Sequence, residues 1–524
     1  MTPTELESAL ALRCPGQFVL EHTDGTSVVR CKPGALQTIC GNLFLDWDWA
    51  FAGLTVEEHS GHWELRYVFY RDRAAGWVHV LLDVPLEQRT VPSIVKYVHA
   101  ADWHEREAED LFGLRFEGHP RLGDFVLHDD AWQEGVEPMR HGFSAYTPVS
   151  ERRPNHGWTP HRVLHAPGAF VMPIGPVFAG LAESAHFLLE TVGEDVVRAL
   201  PRLFYKYRGI EKLAEGRSID HVLALSERFA ATTAFAHALA FCRAVELVCQ
   251  AEVPPRAQAL RVFLAELERL RHHAGAIAGI CESTALAVAA SQVAILEEDL
   301  LRVSGALTGH RYLFGLAVPG GLATDLADAG CRTALHACIE IVERLNDLER
   351  MLRLSSSFLD RLEEVGYIRE KEARSFGLVG PIARASGIAR DLRDIQPYAA
   401  YSECPFSVPV EQEGDGYARL RILFAEARES VRIMEQALAR AASGPVSAPL
   451  RARAGAALGW VEAPRGAAFH WVRIDTSGTV ARYRIVPPSF SNWLGFHASV
   501  EDFAYQDFPI ILATLDLSVS ENDR

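Results

Sequence analysis

Trp103 to Leu127 reads W-H-E-R-E-A-E-D-L-F-G-L-R-F-E-G-H-P-R-L-G-D-F-V-L. Ahead of it, S-I-V-K-Y-V-H-A-A-D from Ser93 carries the same helical spacing. The pattern predicts one helix from Ser93 that stops at Gly113, a residue suited to closing a helix in the left-handed conformation. Further upstream, Trp63–Arg71 (WELRYVFYR) and Trp77–Leu86 (WVHVLLDVPL) are β-branched and aromatic, with a Gly-containing link between them. They predict neighbouring strands. The chain up to about Leu127 is therefore expected to mix strands and helices.

Downstream of it the texture changes. Residues 129–167 are rich in proline, histidine and arginine and show little periodicity, which reads as an interdomain connection. The remainder is mostly helical in pattern. Glu227–Gln250 and Pro255–Cys281 place apolar residues at i, i+3, i+4 and i+7, and Pro255 suits a first helical turn, where its missing N–H costs nothing. Long patterns also cover Thr324–Val365 and Gly416–Ala442, and His470–Phe490 looks like a hairpin turning at Ser477-Gly478. The expected architecture is an α+β domain over residues 1–128, a linker over 129–167, and a mainly α domain over 168–524. That last domain would be a helical bundle with a small β-appendage.

Composition bounds the function. At 524 residues, two or more domains are expected. With 48% hydrophobic and 23% charged residues, the make-up is that of a globular protein. A net charge of −16 leaves no basic surplus to neutralise phosphates, so a nucleic-acid partner is not expected. The nine cysteines include no C-x-x-C pair, which removes the usual zinc or cluster spacing and reads as scattered reduced thiols. The first residues lack the basic start and apolar run of a signal peptide. No stretch reaches the ~20 uninterrupted apolar residues of a membrane helix. The best candidate, Ala234–Ala251, contains His237, Arg243 and Glu246. Membrane contact is expected to go through partners.

The Trp103–Leu127 segment resembles the signature of the bacterial complex I C-type subunits, shared by the matching domain of group 4 hydrogenases. Five later patches, in order, resemble the complex I D subunit and the [NiFe]-hydrogenase large subunit. They are Pro173–Pro176 (PIGP), Tyr207–Arg217 (YRGIEKLAEGR), Pro254–Leu270 (PPRAQALRVFLAELERL), Gly380–Gly387 (GPIARASG) and Glu462–Gly466 (EAPRG). The resemblance implies a fused C/D-type large subunit.

A nickel–iron site needs four thiolates, because soft sulfur holds nickel and bridges it to iron. In the family these come from two C-x-x-C pairs. The early one aligns with Arg228–His237, where Ala230 and Thr233 occupy the sulfur positions. The late one aligns with Asp516–Arg524, where Ser518 and Glu521 do. The resemblance thus implies no metal on this chain and no hydrogenase activity. The Asn-Asp-Arg ending also resembles the D subunit rather than a hydrogenase with a cleavable extension. The D-subunit quinone contacts are lost as well: the two histidine positions fall at Phe178 and Ala182, and the tyrosine position at Ala231.

What remains is polar. Glu183 aligns with the glutamate that passes protons beside the hydrogenase metal, and Arg465 with the arginine above it. With His186, His237 and Asp516 they could line a cavity and relay protons. Thr233 and His186 are the candidate positions in a quinone pocket. Against this stands the reading of these side chains as hydrogen-bonded core residues. His272 and His273 point to different faces of one helix and read as structural, and Glu297–Asp299 as a solvated face.

The resemblance implies a large subunit of a membrane-associated, complex-I-like, energy-converting, hydrogenase-related oxidoreductase complex, with a structural and coupling role or an altered redox role. The alternative is a quinone-reducing subunit of an NADH:quinone oxidoreductase-type complex with relocated contacts. Quinone is the only cofactor that reading would bring to this chain. The expected partners are a small subunit with an iron–sulfur cluster and membrane subunits of the proton-pump type. The expected location is peripheral, on the cytoplasmic face of the inner membrane. The cavity is expected to be closed, with Glu183 and Arg465 paired.

Overall fold

The computed structural model describes residues 2–23, 25–71, 76–129, 131–133, 135–144, 165, 167–177, 183–500 and 503–524. Near the N-terminus, strands Phe18–Thr23, Thr26–Cys31, Trp49–Glu58, His62–Arg71 and Trp77–Pro85 form one sheet in the spatial order first, second, fifth, fourth, third. The two strands expected from sequence are antiparallel neighbours, with Leu65 opposite Leu82 and Tyr67 opposite Val80. Trp77–Pro85 also pairs in parallel with Thr26–Cys31, which places it inside the sheet. Trp63, Leu65, Tyr67 and Phe69 alternate along one face and are fully buried.

The helix beside this sheet is shorter than expected. It spans Asp102–Phe112 and is preceded by a single turn, His99–Ala101. The reason lies in Glu105, whose carboxylate accepts from the Ser93 hydroxyl (2.5 Å) and the Ile94 N–H (2.9 Å). Residues 93–98 therefore wrap around that side chain instead of forming an i→i−4 ladder. The stop at Gly113 is as expected, with φ of 73°.

The helical part is built from Ile219–Arg228, Ala234–Cys249, Pro255–Ser283, Ala287–Thr308, Asp328–Leu352 and Gly416–Arg440. Two expected helices are cut. Glu227–Gln250 is interrupted at 229–233, and the new start is held by Glu268, which accepts from the N–H groups of Phe235 (2.8 Å) and Ala236 (3.0 Å). Thr324–Val365 is helical over Asp328–Leu352 and again over the single turn Ser356–Leu359. Among the described residues one segment, Ala231–Cys249, is long and apolar enough to cross a membrane, yet most of it is buried inside the protein. It is a core helix here.

The β content of this part exceeds a small appendage. Ala169–Ile174, His186–Val192, Asp195–Arg202 and Phe503–Ala504 make one four-stranded sheet, and Arg217–Ser218, Gly455–Ala463, Gly466–Ile474 and Thr479–Val486 make another. The expected hairpin is present in the second. Its turn is tied by Asp475, which accepts from the N–H groups of Ser477 (2.8 Å) and Thr479 (3.0 Å).

The core does not divide at the expected linker. One continuous apolar cluster joins Trp63, Phe69 and Trp103 to Phe187, Phe469, Phe490 and Trp493. Of residues 129–167, the described ones include Arg140 and His141, which return to the N-terminal sheet. Arg140 bonds Glu58 at 3.1 Å, and the His141 N–H bonds it at 3.0 Å.

Candidate functional site

Three of the five later patches that carried the resemblance meet in space. Arg384 of the Gly380–Gly387 patch bonds Glu462 of the Glu462–Gly466 patch at 2.8 Å and Glu426 at 2.7 Å. Arg269 donates to the carbonyls of Glu462 (2.6 Å) and Ala463 (3.2 Å). Gly380 sits at φ of +69°, and a β-carbon there would lie 2.1 Å from the Arg465 carbonyl oxygen. Only glycine lets the two loops approach this closely. Arg465 is thereby held over the interrupted segment 229–233 and the C-terminal segment.

All four expected ligand positions are buried. The Thr233 hydroxyl donates to the Glu521 carboxylate at 3.3 Å, tying the early segment to the late one. Glu521 also accepts from Arg465 Nη1 (3.3 Å) and the Ser489 N–H (3.1 Å). Burial alone would raise its carboxyl, but the neighbouring His237 and Arg465 bring it down to about 2. Ser518 caps the last helical turn, Val519–Asn522, accepting from the Glu521 N–H at 3.2 Å. Ala230 offers no donor atom. None of the nine cysteines lies in either segment. Among the described residues no group of three or more His, Cys, Asp or Glu side chains could hold a metal ion. This donor set does not fit a nickel–iron centre.

The expected site residues separate into three places. Glu183 and Arg465 line an open cleft of about 660 Å³, whose described walls also include Thr232, Arg271, His272, Trp493 and Asp516. They do not pair. Glu183 accepts from the N–H groups of Val519 (2.5 Å) and Ser520 (3.0 Å), while Arg465 bonds Asp516 through its carbonyl (2.7 Å) and its carboxylate (3.3 Å). The expectation of a closed cavity sealed by that pair is therefore corrected. The turn N–H groups hold Glu183, and the opposite carboxylates hold Arg465.

His237 and Thr233 lie behind the cleft wall, both with no exposed surface. His237 Nδ1 is 3.1 Å from His470 Nε2, and His470 Nδ1 is 2.8 Å from the Tyr483 hydroxyl. His237 Nε2 stands 3.9 Å from Glu521. His186 is elsewhere again. Strand alternation turns Ala185 and Phe187 toward the cleft and His186 to the other face, where its Nδ1 meets the Tyr205 hydroxyl at 3.3 Å. His186 is thus no part of this cleft. Phe178 and Ala182 lie outside the described residues.

Two side chains expected to be bland face the cleft. His272 Nε2 lies 3.3 Å from Asp516 Oδ2, whereas His273 turns into the core and meets Glu426 at 2.8 Å. The pair points apart, as i and i+1 must. Burial and the charges of Arg465 and Arg271 push the His272 imidazole well below its usual range, and burial raises the Asp516 carboxyl. Glu297 is half-buried: it lines the cleft and meets Arg271 at 3.5 Å. Arg271 also donates to the Thr232 carbonyl. Helical periodicity marks both only as one face of a helix; the approach of 516–519 is what lines that face.

Residues 29–149 match the model of the respiratory-chain NADH dehydrogenase 30 Kd subunit, and residues 291–454 and 446–524 match that of the 49 Kd subunit. The chain is 31% identical to formate hydrogenlyase subunit 5 of Escherichia coli (strain K12), over 89% of this chain and 82% of that protein. It is 28% identical to the C/D subunit of the NADH-quinone oxidoreductase of Acinetobacter baylyi, over 83% and 80%. A solved relative is a chain of the membrane-bound sulfane sulfur reductase (MBS), an archaeal respiratory membrane complex. It has a TM-score of 0.65 and 27% identity, covering 69% of this chain and 100% of that one. The chain belongs to the family of fused C/D-type large subunits of complex-I-like and hydrogenase-related membrane oxidoreductases.

Proposed function

We propose that this chain is the large subunit of a membrane-associated, complex-I-like, hydrogenase-related oxidoreductase that works without a nickel–iron centre. The carrying observation is the Thr233–Glu521 hydrogen bond at 3.3 Å. Side chains at two of the four ligand positions bind each other, and Arg465 neutralises the carboxylate. The role is structural and conformational coupling, with Glu183, Arg465 and His237 as proton-handling candidates around the former centre.

In this reading residues 1–128 and 168–524 are the C-like and D-like parts, and 129–167 connects them. The partners are a small subunit with an iron–sulfur cluster and proton-pump-type membrane subunits, which hold the chain peripherally at the cytoplasmic face. The names of its relatives support this, since formate hydrogenlyase, NADH-quinone oxidoreductase and an archaeal respiratory membrane complex all appear among them. Affinity purification of the tagged chain from detergent-solubilised membranes tests it. A cluster-bearing subunit and multi-span subunits are expected in the eluate, without hydrogen uptake; a lone chain, or hydrogen uptake, would contradict it.

The open cleft favours a second reading, a quinone reductase with relocated contacts. Its polar floor would be Thr232, Arg465, His272 and Asp516 rather than Thr233, His186 or His237. Titration of the purified complex with a short-chain ubiquinone should then quench Trp493, which lines the cleft.

A further inference from the structure

Two further cavities, of about 690 Å³ and 360 Å³, lie between the Asp102–Phe112 helix, the Asp195–Arg202 strand and a helix over Pro488–Ser499. Both are lined by Arg121, Arg198, Leu200 and His497, so they adjoin along one wall. They share no lining residue with the cleft of Arg465 and Glu183.

The charges along this wall do not balance. Arg121 meets Asp102 at 3.1 Å, Arg202 meets Asp124 at 3.0 Å, and Arg198 stands 3.9 Å from Glu190. Those pairs take up every carboxylate that lines the two cavities among the described residues. Two lining cations are left over, Arg106 and Lys96, neither with an ion-pair partner among the described residues. Arg106 lies over the Phe125 ring and donates only to the carbonyls of Gly123 (3.4 Å) and Asp124 (3.3 Å). Arg106 Nε and Arg198 Nη1 have no hydrogen-bond acceptor among the described residues. A half-buried cation left uncompensated is costly, so the wall calls for negative charge.

His497 stands in the same field. Burial pushes its imidazole down to about 4, with Arg121 next, Asp102 opposing, and Arg198 and Arg106 adding to the fall. Three guanidinium groups thus act on one point of the shared wall. In a chain of net charge −16 this is a local excess of positive charge.

Guanidinium forks match the oxygens of a phosphate or a carboxylate. Two unmatched cations favour the charge of about −1.5 to −2 that a phosphate monoester carries at pH 7 over the single charge of a carboxylate. The larger cavity adds apolar wall from Val95, Phe376, Leu494 and Val500, and Lys96 and Arg121 are exposed beside it. We infer that the wall formed by Arg106, Arg121 and Arg198 binds a phosphate monoester carrying an apolar group. That chemistry belongs both to a soluble phosphate ester and to a lipid with a terminal phosphate.

Calorimetric titration of the full-length protein, with any subunits that purify with it, tests this. Octyl phosphate should bind more tightly than inorganic phosphate, which lacks the apolar group, and than octanoate, which lacks the second charge. Arg198→Gln should weaken octyl phosphate about tenfold, as loss of a hydrogen bond to a charged group does. Lys96→Gln, at an exposed position where folding is not at stake, should weaken it about threefold. In a second arm, phosphatidate in mixed micelles replaces octyl phosphate. Tighter binding of phosphatidate names the lipid source, and tighter binding of octyl phosphate the soluble one. Failure of both to bind, octanoate or inorganic phosphate binding as tightly as octyl phosphate, or unchanged affinity in either folded variant would each overturn the inference.

Discussion

Glu107 and Arg524 are 417 residues apart in sequence and share a buried ion pair of 2.7 Å. Neither side chain is more than 3% exposed. Glu107 belongs to the Asp102–Phe112 helix, and Arg524 ends the chain. Glu211, from the Tyr207–Arg217 patch, joins them by accepting from Arg524 at 3.2 Å and from Arg484 at 3.2 Å. The C-like and D-like parts are thus fastened by charges in the interior.

Removing one member of such a cluster leaves the others buried and uncompensated. Glu107→Ala should cost about 3–5 kcal/mol of unfolding free energy, because Arg484 and Arg524 both lose a carboxylate. Denaturant titration of wild type and variant measures it. A change within a few tenths of a kcal/mol would mean that the two parts are not fastened here.

Glu105 predicts a pH dependence. Burial lifts its carboxyl from 4.5 to about 8, against the pull of its bonds from Ile94 and Ser93. The folded state therefore holds a proton that the unfolded chain releases. The stability this contributes is fully present below about 4.5 and is lost as pH rises through about 8. Unfolding free energy should fall across that window in wild type, and Glu105→Gln should flatten the fall. An unchanged slope in the variant would refute the assignment.

Gly380→Ala tests the contact that positions Arg465. The left-handed φ and the approach to the Arg465 carbonyl together should cost at least about 2 kcal/mol. The displaced loop should also weaken the Arg465–Asp516 bond. Thermal unfolding gives the first, and a crystal structure of the variant gives the second.

The parts of this fold that were legible in the sequence are those governed locally. Gly113 ends its helix because a left-handed cap suits glycine, and Pro255–Ser283 begins at a proline suited to its first turn. Long-range contacts decided what was missed. Ser93–Val98 reads as helix until Glu105 takes its Ser93 and Ile94 donors, and the break at 229–233 depends on Glu268 from another helix. The same holds for the site. Arg465 and Glu183 were found by resemblance and do line the cleft, but their partners are set by the 516–521 segment. His272 was read as structural because its periodicity says only which helix face it occupies. Nothing in the local sequence tells that Asp516 stands opposite.

The most direct test of the central claim is the nickel content of the chain purified within its own complex. Iron is uninformative there, since a cluster-bearing partner would supply it, so nickel alone decides. With Ala230, Thr233, Ser518 and Glu521 where four thiolates would stand, and Thr233 already bonded to Glu521, elemental analysis should find no stoichiometric nickel. Nickel near one atom per chain would contradict the account.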